Sequence, residues 1–233
     1  MTKHTLGMLA IVLFSALSLH ANDINGTIVI QHKLTKPRVT PAGDLYERGA
    51  AVPLATDQKQ DPLAYERTHV VIYLEGDSRS QGVTAVLNQQ DRSFTPDLVV
   101  VPAGSTVSFP NLDPIFHNVF SLSKAKSFDL GNYAKDHTRT VTFSKPGIVI
   151  VGCHLHANMS AVIVVTPNRW STTADAQGHF TLPAVPPGTY TIVAWHKSAG
   201  FFRKKIEVTA EHNTAVEFAI PLDENGVLQE ARK

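Results

Sequence analysis

From residue 22 onward, the apolar positions of this chain fall in short, β-branched runs separated by turn residues. Residues 26–30, 69–74, 97–101, 106–109 and 138–143 are such runs, and 148–151, 161–165, 180–182, 190–195 and 215–220 continue the series. No convincing stretch carries the 3.6-residue period of an amphipathic helix. Many short strands with Gly and Pro between them predict an all-β protein of sandwich type. Residues 99–101 and 148–151 are apolar at every position, so both are expected as central strands buried on each face. Residues 33–66 break the pattern. They are rich in Lys, Pro, Asp, Gln and Ala and predict a long connection without strands. The polar tail, 223–233, is expected to fray.

The start of the chain reads differently. Lys3 and His4 precede an uncharged apolar run over 6–19, and small residues follow up to Ala21. This is the pattern of a secretory signal peptide, 1–21, and the run is shorter than the roughly 20 residues a membrane span needs. The expectation is an exported, periplasmic protein without a membrane span once residues 1–21 are removed. The chain has 233 residues, 43% of them hydrophobic, with 21 Lys+Arg against 20 Asp+Glu. That is enough apolar material for a real core, and the near-zero charge argues against nucleic acid as a partner. A single cysteine, Cys153, excludes an intrachain disulfide and a Cys-rich cluster. In an oxidising compartment a lone thiol calls for something to occupy it.

The residues around Cys153 supply a candidate. The stretch Cys153-His154-Leu155-His156-Ala157-Asn158-Met159 follows one apolar run and precedes the next. A tight loop there gathers a thiolate, an imidazole and a thioether around one point. His117, from a distant segment, fits as the second imidazole. One Cys and two His with a weak axial Met is the donor set of a blue-copper electron-transfer site. Taken singly, Cys153, His117 and Met159 each read as ordinary core or surface residues; the grouping carries the copper reading.

At these residues the sequence resembles the cupredoxins, the plastocyanin and amicyanin group of blue-copper proteins, over 83–166. Residues 94–113 are similar to that family's early strands, and the short spacing from Cys153 to Met159 is similar to an amicyanin-like loop. The resemblance implies a Greek-key β-sandwich, one type 1 copper ion held by His117, Cys153, His156 and Met159, and a supporting role behind the ligands for Asn118. Two departures stand out: His154 follows the cysteine where relatives carry a small polar residue, and the loop lacks Pro. His154 is expected to face solvent beside the site. The whole chain also resembles exported proteins grouped as methylamine utilization proteins, a hint of redox context.

Residues 173–196 resemble the carboxypeptidase regulatory-like, transthyretin-type β-sandwich, with an Asp-Ala-Gln-Gly turn and a Pro-Pro-Gly turn around alternating strands. Such a sandwich needs upstream strands, and 26–30 and 70–74 fit. The expected organisation is a split sandwich, 22–76 and 167–222, with the cupredoxin inserted; the rival is a tandem of 22–166 and 167–222. His179, His196 and His212 are expected to be structural or surface residues. Trp170, Trp195, Phe201 and Phe202 are expected to pack in a core, with an exposed patch for a partner as the alternative. The functional expectation is single-electron transfer between redox protein partners, with no enzymatic activity. A periplasmic copper carrier using the same ligands is the alternative.

Overall fold

In a computed structural model, the structure describes residues 21–35, 61–76 and 81–220. The expected signal peptide, most of the 33–66 connection and the tail lie outside these residues. The first strands in chain order are β1 (Asn22–Ile30) and, after a short helix α1 (Ala64–Thr68), β2 (Val71–Leu74). Ten more follow: β3 (Thr84–Val86), β4 (Asn88–Gln90), β5 (Ser93–Thr95), β6 (Leu98–Pro102), β7 (Ser105–Pro110), β8 (His117–Ser123), β9 (Lys126–Tyr133), β10 (Thr138–Phe143), β11 (Gly147–Gly152) and β12 (Ser160–Thr166). The last five are β13 (Ser171–Thr173), β14 (His179–Val185), β15 (Gly188–His196), β16 (Gly200–Val208) and β17 (Thr214–Ile220).

Apart from the small β4–β5 hairpin, these strands form four sheets, ordered β14-β1-β17, β13-β2-β15-β16, β6-β12-β11-β8-β9 and β10-β7-β3. Alternation along the strands builds three cores between them. Ile24, Ile28, Ile72, Leu74, Ile192 and Phe218 fill the space between the first two sheets. Val107, Phe109, Phe143, Val149, Val151 and Ile163 fill the space between the last two. A smaller core of Val71 and Trp195 against Val162 and Val164 joins the two sandwiches face to face. The molecule is therefore all-β in four layers. Strands β1 and β2 pair with β14, β17, β13 and β15. Among the described residues, strands β3 to β12 pair only with one another.

Four expectations need correction. β6 lies at the edge of its sheet, not its centre. β11 is central, but Ile150 on its outer face is 48% exposed, because the facing sandwich does not extend over it. In this sheet the strand buried along both faces is β12: Ala161, Ile163 and Val165 enter one core, and Val162 and Val164 enter the other. The short helix α1 also lies inside the stretch read as a bare connection; five residues are too few to show a period. Phe201 is 45% exposed, whereas Trp195 and Phe202 are buried and Trp170 packs partly against the first core. His179 is exposed, and His196 is fully buried against Glu66, with its Nε2 3.2 Å from the carboxylate.

Candidate metal centre

Strand β11 runs antiparallel to β12, and the hairpin between them carries Cys153, His156 and Met159. The loop is tight: the Met159 N–H donates to the His156 carbonyl at 3.0 Å. Cys153 and Met159 are buried in the core of the second sandwich. His117 opens β8, the neighbour of β11, and is wholly buried. His117 Nδ1 and His156 Nδ1 lie 3.1 Å apart, and Cys153 Sγ lies 4.0 and 3.7 Å from them. A triangle with these sides has its centre about 2.1 Å from each corner, within the roughly 2.0–2.3 Å of bonds from a divalent first-row ion to imidazole nitrogen and thiolate sulfur. The donor set therefore fits a metal ion, and its thiolate and imidazole chemistry fits copper.

What stands behind each donor orients it. His117 Nε2 donates to the Asp113 carboxylate at 2.7 Å, which leaves the Nδ1 lone pair turned toward Cys153. Asp113 is itself anchored by the Asp91 and Arg92 N–H groups, at 2.8 and 2.9 Å. Burial pushes its carboxyl up, but those N–H groups and the His117 ring outweigh burial and hold its pKa below the ordinary 3.8. Asn111 ties down the approach to His117: its side-chain N–H groups donate to the Ile115 and Tyr133 carbonyls, at 2.8 and 3.0 Å. Burial, and then the neighbouring His117, lower the pKa of His156, so it stands ready as a neutral donor. The backbone N–H of Asn118 points at Cys153 Sγ at 3.4 Å, and Asn118 Oδ1 accepts from the His154 N–H at 3.4 Å.

Of the sequence-derived residues, His117, Cys153 and His156 converge, and Met159 lies buried on the same loop. Asn118 touches the sulfur and the residue after it. The His154 side chain is 53% exposed and stacks on Phe120 with ring centres 3.7 Å apart. Sequence reasoning missed Asp113 and Asp129. The available signal for Asp113 was a carboxylate in an Asn-Leu-Asp-Pro turn just ahead of His117; Asp129 carries none, because only strand pairing brings it near Asn118.

A family model for the carboxypeptidase regulatory-like domain matches residues 156–221. No curated protein matches this chain. Among solved structures the chain is similar to amicyanin from Paracoccus versutus, at 21% identity and a TM-score of 0.33, over 40% of this chain and 96% of that one. It is similar to a purple cupredoxin from Nitrosopumilus maritimus at 19% identity and a TM-score of 0.32, over 35% of this chain and 99% of that one. It is also similar to a copper-containing nitrite reductase from Thermus scotoductus at 22% identity and a TM-score of 0.35, over 39% of this chain. This chain spans about a quarter, 24%, of that enzyme's length.

Proposed function

We propose that this chain holds one type 1 copper ion between His117, Cys153, His156 and Met159 and passes single electrons between periplasmic redox proteins. The observation that carries the proposal is the triangle of Nδ1, Nδ1 and Sγ atoms, sized for one ion. A copper ion bound there supplies one-electron chemistry by alternating between Cu(I) and Cu(II). The protein's part is to hold the donors still. His117 is fixed by Asp113, Cys153 by its core and the Asn118 N–H, and His156 by the closed turn to Met159. Donors locked by packing move little between oxidation states, which favours fast transfer. Burial of His117, Cys153 and Met159 also favours retention of the ion over its release, and so electron transfer over a copper carrier.

Phe116 and Leu155, each one residue before a histidine ligand, are 58% and 46% exposed. They give the ligand loops an apolar surface beside His156, the ring through which electrons would leave. Such a surface suits brief docking over less than about 1,200 Å². The export signal pattern at 1–21 supports the compartment, and among the described residues no helix is long and apolar enough to cross a membrane.

The test is the visible and paramagnetic-resonance spectrum of the Cu(II)-loaded protein. The expected result is an intense sulfur-to-copper band in the wild type and none in Cys153→Ser. A wild type without that band overturns the proposal. Copper handed to a chelator within seconds, from a protein that does show the band, makes the carrier reading the better one.

A further inference from the structure

We infer that Asp129 is a positioning residue for the sulfur ligand, acting through Asn118 and His154. Its consequence for copper rests on the proposed function; its geometry does not.

Strands β8 and β9 pair antiparallel with a break in register. His117 faces Tyr133 and Asn118 faces Asn132, but Phe120 faces Asp129. β9 therefore carries one extra residue at this point. Gly131 sits there at φ 66, in the left-handed region that a bulge of this kind uses. The bulge brings the Asp129 carboxylate to Asn118. Asp129 Oδ1 accepts from the Gly131 N–H at 2.8 Å and from Asn118 Nδ2 at 2.7 Å. With its Nδ2 held, the Asn118 amide presents Oδ1 to the His154 N–H, while its own backbone N–H meets Cys153 Sγ.

The same carboxylate reaches the other side of His154. Asp129 Oδ2 lies 3.5 Å from His154 Nε2, and the imidazole lies on Phe120 with only 8° between the planes. Gly152 makes room for this stack, since a Cβ there would come within 3.1 Å of the Phe120 ring. The residue after the sulfur ligand is thus held at its backbone through Asn118 and at its ring by Phe120 and Asp129. A large imidazole at position 154 would otherwise be free to pull the cysteine loop outward. Asp129 is more than half exposed, so its charge is screened and an exposed ion pair contributes little. The hydrogen bond to Asn118 is what positions the loop.

The experiment compares Asp129→Ala with Asp129→Asn in the full chain, because an Asn oxygen still accepts from Asn118 whereas Ala does not. In metal-free protein, exchange of the His154 amide proton is expected to rise roughly fivefold or more in Asp129→Ala, the scale of one lost hydrogen bond, and to stay near wild type in Asp129→Asn. In copper-loaded protein, affinity measured against a chelator is expected to fall about tenfold or more in Asp129→Ala and to recover in Asp129→Asn. Equal behaviour of the two variants would make Asp129 a surface charge only and overturn the inference, as would an unchanged Asp129→Ala. If the wild type binds no copper, the proposed function fails by itself, and the exchange measurement alone decides the role of Asp129.

Discussion

A histidine donates to a metal through whichever ring nitrogen lacks a proton, so the group behind the ring decides whether it can bind. Asp113 decides this for His117. It accepts the hydrogen bond from Nε2–H and is held by two backbone N–H groups of the β4–β5 turn, where Asp91 and Arg92 both sit at φ 54. Asp113→Ala is expected to weaken copper binding about 10- to 100-fold, read by competition with a chelator, while the far-UV circular dichroism remains that of a β protein. The donors on the hairpin were legible in the sequence because seven consecutive residues contain them. Asp113 and Asp129 were not, because their roles depend on which turn and which strand are folded against them.

At the level of elements, β12 ties the molecule together. Its odd positions face the core beneath the candidate metal centre and its even positions face the neighbouring sandwich. A buried isoleucine in such a strand is costly to shorten. Ile163→Ala is expected to lower the unfolding free energy by about 2–5 kcal/mol in denaturant titration. Ile150→Ala, on the outer face of the adjacent strand, should change it by about 0.5 kcal/mol or less. That contrast also explains why uniform apolarity misled the reading of β6 and β11. An apolar run states that a strand can be buried on both faces, but the extent of the facing sheet decides whether it is.

For the whole molecule, α1 and the residue that follows it bridge the two sandwiches. Tyr65 Oη donates to Asp97 Oδ2 at 2.8 Å and His69 Nε2 lies 3.0 Å from Asp97 Oδ1. Asp97 precedes β6, whose parallel partner β12 leaves the ligand loop. The hydrogen bond from His69 brings the Asp97 pKa from the ordinary 3.8 down to about 2. Its contribution is therefore present above 3.8 and lost as the pH falls toward about 2. Burial pushes the His69 pKa down, but the Asp97 bond and the Tyr65 carbonyl outweigh it and raise the value above the ordinary 6.5. That contribution is fully present below 6.5 and disappears as the pH rises through the raised value. The latch is worth most between these limits. Calorimetry across pH should show the largest Tm gap between wild type and Asp97→Asn between 3.8 and 6.5, narrowing as the pH rises through the raised His69 value and as it falls toward about 2.

The sequence by itself determined the β character of the chain and the local set of soft and imidazole donors, because side-chain alternation and close spacing are written along the backbone. Which strands became neighbours was decided only in three dimensions. β1 lies parallel to β17 although nearly 190 residues separate Ile24 from its partner Thr214. A strand offers the same hydrogen-bonding edge to any partner, so its sequence cannot choose between them; packing of complementary faces does. The same packing brought His117 to Cys153 and placed the two carboxylates behind them.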